Sequence, residues 1–154
     1  MNIGAGPGHR NAVHERRSPE QLTWYQREPR LSLDFIKRAG VDRSARLIDV
    51  GGGSSRLCDE LIAFGFTDVT VVDISPAALA HVETRVGDRA ERLQLVEADV
   101  GEYRSGKRFD LWHDRAVFHF LLDESEVNRY IDSLTANLAA HGHAVVATFG
   151  LDGP

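Results

Sequence analysis

The feature that most constrains this sequence is the segment at positions 47–55, where a short apolar run leads directly into three consecutive glycines. Leu47, Ile48 and Val50 have the hydrophobicity of a buried strand. The glycines at positions 51–53 allow a tight turn with positive φ angles and a close approach of the backbone to a ligand. Apolar side chains at helical spacing follow, so the segment predicts a strand, a glycine loop and a helix whose first amides are unpaired.

Strand and helix patterns alternate along the rest of the chain. Strands are predicted over residues 46–50, 68–74, 92–96, 109–113 and 143–149. Helices are predicted over 29–39, over 54–64, from Pro76 to about Val86, and from just after residues 123–126 to near Gly142. The first helix is expected to turn Leu31, Leu33, Phe35 and Ile36 toward the core. This alternation predicts an α/β fold, a Rossmann-like doubly wound parallel sheet with helices on both faces.

The domain organisation follows from length and from the composition of the N-terminus. The chain has 154 residues, which suits a single hydrophobic core. Residues 1–18 are rich in glycine and charge without apolar periodicity, and they are predicted to form a flexible tail. Residues 19–154 form the predicted domain. The glycines at positions 4, 6 and 8 do not follow an apolar strand, which argues against a phosphate-binding loop there.

Composition excludes several functional classes. The formal net charge of −5 argues against a dedicated nucleic-acid-binding protein. No apolar run approaches the roughly 20 residues that span a bilayer, and no signal peptide is evident. The single cysteine, Cys58, predicts a reducing, cytoplasmic setting and a buried structural thiol.

Charged residues follow successive strands of the predicted sheet. Asp73 ends the second strand, Asp99 follows the third, and His113, Asp114 and Arg115 follow the fourth. Because ligands of open α/β sheets bind beyond the carboxyl ends of the strands, we expect these residues to surround one site. Asp73 is placed to accept hydrogen bonds from ribose hydroxyls, and Asp99 to accept one from an adenine amino group.

The residues around the glycines discriminate between ligands. A dinucleotide fingerprint needs Gly-x-Gly-x-x-Gly, but Arg56 stands where the third glycine would be. No Gly-Lys-Ser/Thr follows, so a Walker loop is absent. Asp49 would repel a pyrophosphate, whereas it would attract a ligand that carries an ammonium and a sulfonium group.

These motifs resemble those of the class I S-adenosylmethionine-dependent methyltransferases. Residues 48–53 resemble the first motif of that family, 71–75 the second and 97–100 the third. The resemblance implies S-adenosyl-L-methionine as cofactor, no metal, and a methyl acceptor that is a small molecule or a protein side chain. It implies that the glycine loop packs on the methionine part, that Asp73 binds ribose, and that Asp99 lies beside adenine. The cofactor-binding residues implied within these motifs are Asp49, Gly51, Gly52, Gly53, Asp73, Ile74, Asp99 and Val100.

Two further segments resemble small bacterial methyltransferase-like proteins: residues 23–33 and residues 112–120. This resemblance implies that Trp24 and Tyr25 close over cofactor or substrate, with a hydrophobic lid on the sheet as the alternative. It adds His113 and Arg115 to the cofactor-binding residues. Asp114 is the first candidate for the catalytic proton acceptor. His119, expected on a helix that begins after Asp114, is the second, with a packing role as its alternative.

The sequence departs from the family after the fifth strand. Family members continue into a further helix and an antiparallel strand pair, which this chain lacks. The fifth strand would then be an exposed apolar edge, so we expect either a fragment or a homodimer that pairs through this edge. Three functions stay open: an active methyltransferase, a cofactor-binding domain without turnover, and an NAD- or nucleotide-binding oxidoreductase domain.

Overall fold

The computed structural model of the chain describes residues 29–115 and 117–148. In this range the elements run in the order α1 (Arg30–Ala39), β1 (Arg46–Val50), α2 (Leu57–Ala63), β2 (Asp68–Asp73), α3 (Pro76–Val86), β3 (Leu93–Glu97), β4 (Phe109–Asp114), α4 (Glu124–Asn137) and β5 (Leu138–Val146). None of these helices has the length and hydrophobicity that crossing a membrane requires. The predicted tail at 1–18, Trp24 and Tyr25 lie outside the described residues.

The five strands form one parallel sheet in the order β3-β2-β1-β4-β5. The chain winds outward from β1 to β3 and then crosses to the other side of β1 to begin β4. The carboxyl ends of β1 and β4 therefore flank the point where the strand order reverses, which is where open α/β sheets bind ligands. The predicted doubly wound sheet is confirmed, and the described residues contain no antiparallel strand pair.

Each face of the sheet has its own hydrophobic core. Leu47 of β1 packs on the face covered by α1, α2 and α3. Its neighbour Ile48 packs on the face covered by α4, which contributes Tyr130. Successive strand residues point to opposite faces, so a residue's position in its strand decides which helices it meets. Cys58 of α2 is buried in the first core, as predicted, and burial raises the pKa of its thiol to about 12.

Helix α1 turns only part of the expected apolar side toward the sheet. Ile36 is buried and Leu33 packs against the core as predicted, but the exposed fractions of Leu31 and Phe35 are 54% and 41%. Ser32, four residues before Ile36 and hence on the same side of the helix, is buried as well. The helix ends as predicted at Gly40, which adopts a left-handed φ of 69°.

The predicted boundary between the last helix and the last strand is wrong. Helix α4 ends at Asn137 and β5 begins at Leu138, so Gly142 lies within β5. Leu138 pairs with Phe109 and His143 with Leu111, which makes the intervening residues of β5 a bulge. A Cβ on Gly142 would lie 3.0 Å from the backbone carbonyl oxygen of Phe109, so glycine at this position serves close packing in the bulge and does not end a helix.

Candidate functional site

The glycine loop lies across the carboxyl end of β1 and is fastened to β2. Gly51 has a φ of 67°, and its amide donates a hydrogen bond of 2.7 Å to the carbonyl of Val72. A short 3-10 turn over Gly52–Ser54 follows, and α2 begins only at Leu57. The helix predicted over 54–64 therefore starts three residues late. The amide of Leu57, the first residue of α2, donates to Ser55 Oγ at 3.0 Å and is therefore already paired.

The loop can be formed only by residues without side chains. A Cβ on Gly52 would collide with Asp49 Oδ2. A Cβ on Gly53 would lie 2.5 Å from Ala78 Cβ and 2.8 Å from Asp73 Oδ2. The backbone of the loop is thus pressed directly against two carboxylates, one from β1 and one from β2.

Asp73, at the end of β2, orders both the glycine loop and the start of α3. Its Oδ2 accepts a hydrogen bond of 3.0 Å from the amide of Gly53. Its Oδ1 accepts one of 2.9 Å from the amide of Ser75, whose hydroxyl in turn caps α3 by accepting from Ala78. The side chain predicted to bind ribose is therefore buried and also holds the loop in place.

Asp49, in the middle of the site, belongs to a buried chain of hydrogen bonds on the α1 side of the sheet. Register places Asp49 of β1 beside His113 of β4, and His113 Nδ1 lies 2.7 Å from Asp49 Oδ1. His113 Nε2 lies 2.9 Å from Ser32 Oγ on α1. The exposed fractions of Ser32, Asp49 and His113 are 3%, 2% and 3%. Asp49 Oδ2 has no hydrogen-bond partner within the described part of the chain.

Arg115, just beyond β4, places a positive charge within electrostatic reach of Asp49. Burial lowers the pKa of the half-buried guanidinium, and the negative charge of Asp49 acts in the opposite direction. The carboxylate of Asp49 and the guanidinium of Arg115 therefore place opposite charges near the switch point.

Asp114, next to His113 on β4, belongs to a second network on the α4 side of the sheet. Its carboxylate is fully buried and accepts hydrogen bonds from the amides of Val117 and Phe118 at 2.8 and 3.0 Å. Tyr130 of α4 donates its hydroxyl to Asp114 Oδ2 at 2.7 Å and accepts from Trp112 Nε1 at 3.0 Å. Burial and the charge of Asp114 raise the pKa of Tyr130. These enclosed surroundings differ from those expected of a base that meets substrate.

His119 lies on a 3-10 turn over Phe118–Phe120 and not on the predicted helix. Its ring centroid is 4.1 Å from that of Phe120. Burial lowers the pKa of His119 below its ordinary value of 6.5, while the nearby charge of Asp114 acts against this shift. The ring is therefore neutral near pH 7, which is the form that accepts a proton.

Asp99, the residue predicted to lie beside adenine, follows the outer strand β3. Asp99 is exposed, and its Oδ1 accepts a hydrogen bond of 2.8 Å from the amide of Gly101. Val100 is buried in the core on the α4 side, and Ile74 is half-buried beyond β2. No cluster of three or more metal-ligating side chains occurs among the residues that the structure describes.

The sequence matches the family described as "Methyltransferase domain" over residues 48–144, which is more than half of the chain. The chain belongs to this family. A curated relative, malonyl-[acyl-carrier protein] O-methyltransferase 1 of Ilyobacter polytropus, is 26% identical over 112 residues. The match covers 72% of this chain and 40% of the relative, so the chain spans about two fifths of that protein's length.

Solved methyltransferase structures share the fold. The N-methyltransferase NodS from Bradyrhizobium japonicum WM9, in complex with S-adenosyl-L-homocysteine, superposes with a TM-score of 0.67 at 22% identity. That likeness covers 88% of this chain and 71% of NodS. The glycopeptide N-methyltransferase MtfA, also with S-adenosyl-L-homocysteine, gives a TM-score of 0.67 at 22% identity, with 75% and 50% covered. These likenesses confirm the Rossmann-like fold class.

In this methyltransferase domain the structure gathers at one edge seven of the twelve predicted site residues that it describes. The glycine loop, Asp49, Asp73, His113 and Arg115 meet around the ends of β1, β2 and β4, whereas Asp114 turns to the opposite face. Sequence reasoning missed Ser32, because a serine between apolar residues of an amphipathic helix resembles any other polar position. The one available signal was its spacing of four residues from the buried Ile36.

Proposed function

We propose that this chain is the cofactor-binding domain of an S-adenosyl-L-methionine-dependent methyltransferase that acts on a small molecule or a protein side chain. One observation carries the proposal: the glycine loop at the switch point is pressed between two buried carboxylates, Asp49 and Asp73. The chain's membership of the methyltransferase domain family supports it, as do relatives named as O- and N-methyltransferases.

The residues at this edge fit the proposed cofactor. A buried carboxylate oxygen without a partner, such as Asp49 Oδ2, is costly and calls for a hydrogen-bond donor. The ammonium group of S-adenosyl-L-methionine is such a donor. The carboxylate of the same amino acid is complementary to Arg115. A pyrophosphate, in contrast, would place its negative charges beside two aspartates.

The parts of the cofactor are assigned to residues as follows. Asp49, Arg115 and the loop glycines Gly51, Gly52 and Gly53 would hold the methionine part. Asp73 would accept hydrogen bonds from the ribose hydroxyls, because a carboxylate has about four acceptor sites and can serve the backbone and a ligand together. Asp99, with Val100 and Ile74 nearby, would border the adenine.

The protein's own contribution to methyl transfer is alignment and proton removal. When bound, the cofactor supplies a methyl group on a sulfonium, which is already a good leaving group. The loop and its two carboxylates fix the orientation in which an acceptor must approach. Asp114 and His119 are the two candidates for the acceptor of the nucleophile's proton, and the ring of His119 is neutral near pH 7. Asp114 also holds the turn that carries His119.

Calorimetric titration with S-adenosyl-L-homocysteine and with NAD tests the proposal. We expect the protein to bind the first ligand and not the second. Asp73→Asn should weaken binding more than tenfold, because a charged acceptor contributes roughly 1.5–3 kcal/mol to a hydrogen bond. Asp68→Asn is the matched control, since Asp68 lies at the opposite end of β2 and pairs with Lys107. Binding of NAD in place of the homocysteine derivative would favour an oxidoreductase.

Activity measurements separate an active enzyme from a cofactor-binding domain without turnover. Transfer of a labelled methyl group to amine, hydroxyl or thiol acceptors supports the enzyme. Tight binding of S-adenosyl-L-homocysteine with no transfer to any of these acceptor classes supports the second function.

We also propose that two copies of the chain pair through β5. Within the described range β5 pairs with β4 alone, and Val146 at its end is 42% exposed. An unpaired strand edge favours pairing with another strand. Light scattering at micromolar concentration tests this proposal, and a monomeric mass would contradict it.

A further inference from the structure

Three elements that are distant in the sequence meet in the chain of hydrogen bonds from Ser32 through His113 to Asp49. The two links measure 2.9 and 2.7 Å. The order of serine, histidine and aspartate matches that of hydrolytic triads. However, His113 and Asp49 separate the buried Ser32 from the glycine loop, so its hydroxyl is not placed to attack a ligand held by that loop. The chain must therefore serve another purpose.

The physical effect of these links is to fix the orientation of a buried charge. A carboxylate out of contact with water is stable only when hydrogen bonds replace its hydration. His113 satisfies Asp49 Oδ1, and Oδ2 is left against the backbone of Gly52. When the neutral imidazole donates its Nδ1 proton to Asp49, its Nε2 accepts the hydroxyl proton of Ser32. The carboxylate of Asp49, which only accepts, thereby sets the tautomer, and Ser32 fixes the orientation of the ring.

We propose that Ser32 and His113 are positioning residues that hold Asp49 in place to receive the ammonium group of the cofactor's amino-acid part. This inference rests on the proposed function. Ser32 lies on α1, outside the residues 48–144 that match the family. Helix α1 is therefore a functional part of the cofactor site, although no atom of Ser32 is required to touch the ligand.

Two ligands distinguish positioning of Asp49 from a general effect on the fold. S-adenosyl-L-homocysteine carries the amino-acid group, whereas 5′-methylthioadenosine has the same adenosine thioether without it. The dissociation constants of both are measured by calorimetry for the unaltered protein and for Ser32→Ala. The matched control is Ser133→Ala, because Ser133 is equally buried but donates to the carbonyl of Tyr103 on the α4 side.

Ser32→Ala should weaken the binding of S-adenosyl-L-homocysteine about fivefold, the size expected from one lost hydrogen bond. The affinity for 5′-methylthioadenosine should stay within a factor of two, and Ser133→Ala should change neither. Equal weakening of both ligands, or no weakening of either, would overturn the inference while leaving the proposed function intact. If the unaltered protein binds neither ligand, the proposed function is overturned, and the inference with it.

Two substitutions of His113 provide a test if Ser32→Ala folds poorly. His113→Asn keeps a donor near the position of Nδ1 and hence the link to Asp49. His113→Gln places its amide near the position of Nε2 and loses that link. The asparagine variant should therefore retain more of the affinity for S-adenosyl-L-homocysteine than the glutamine variant. The reverse order would contradict the inference.

Discussion

His113 and Asp114 are adjacent on β4, yet they belong to two networks with opposite properties. The network around His113 lies under α1 and leaves one carboxylate oxygen of Asp49 without a partner among the described residues. The network around Asp114 lies under α4, and its carboxylate accepts hydrogen bonds from two amides and from Tyr130. Both are buried, and both contain an aspartate and a ring.

The difference shows how one strand can serve stability and binding together. A carboxylate that accepts three hydrogen bonds in a fully buried position, as Asp114 does, stabilises the fold and has little left to offer a ligand. A carboxylate with a buried, unpaired oxygen is destabilising in the free protein, and a ligand that donates to it relieves this cost. The two networks should therefore respond differently to substitution.

The largest expected effect is on the Asp114 network. Asp114→Ala should lower the free energy of unfolding by about 3–5 kcal/mol, because it leaves the Tyr130 hydroxyl and two amides buried without their acceptor. Urea denaturation measures this loss. The control is Asp110→Ala on the same strand, where a partly exposed pair with Arg46 predicts a loss of only about 1 kcal/mol or less. Equal losses in the two variants would contradict the structural role of Asp114.

A substitution in the Asp49 network should lower the affinity for the cofactor and leave the free energy of unfolding nearly unchanged. Asp49→Asn keeps an acceptor for His113 but removes the charge, so the affinity for S-adenosyl-L-homocysteine should fall about 10- to 100-fold. The free energy of unfolding should change by less than about 1 kcal/mol, since a buried unpaired charge is also removed. Calorimetry measures the affinity, and urea denaturation measures the free energy of unfolding. A large loss of stability with unchanged affinity would make Asp49 a structural residue like Asp114.

Tyr130→Phe, a substitution in the Asp114 network, should lower stability without lowering affinity for the cofactor. The substitution removes a donor to Asp114 and an acceptor for Trp112, at an expected cost of about 2 kcal/mol in unfolding free energy. The affinity for S-adenosyl-L-homocysteine should be unchanged, because Tyr130 lies on the face opposite Asp49. A loss of affinity in the folded variant would show that the α4 side also shapes the cofactor site.

The smallest expected effect is the coupling between the two networks. Ser32→Ala and Tyr130→Phe share no partner and lie on opposite faces of the sheet. Their effects on unfolding free energy should add to within about 0.5 kcal/mol in the double variant. A double-mutant cycle by urea denaturation measures the coupling, and a value above about 1 kcal/mol would show that β4 transmits strain between its faces.

The structural features that the sequence predicted correctly are those that depend on the local pattern of residues. The parallel sheet, the bounds of α3 at Pro76 and Val86, and the glycine turn all follow from hydrophobic period, capping and the needs of the backbone. The positions of Asp49, Asp73 and Arg115 at one edge follow in turn from the sheet's order.

What the sequence could not predict depends on orientation in three dimensions. The expectation for α1 was wrong for Leu31 and Phe35, because its apolar residues cover more of the helix surface than the sheet buries. The side that faces the sheet carries Ile36 together with Ser32, which bonds to His113. The separation of His113 from Asp114 follows from strand alternation, but the depth at which each is buried depends on helices that the sequence alone does not place. The bulge in β5 likewise depends on its pairing with Phe109.

The burial of Ser32 bears on where the boundary of this domain should be drawn. The residues that match the family begin at 48, which is 16 positions beyond Ser32 and two beyond the start of β1. A protein cut at that boundary would expose the sheet face that α1 covers, and the imidazole of His113 would meet water in place of a hydroxyl. If Ser32 has the role proposed above, the smallest unit with a complete cofactor site begins no later than Pro29, the residue before α1.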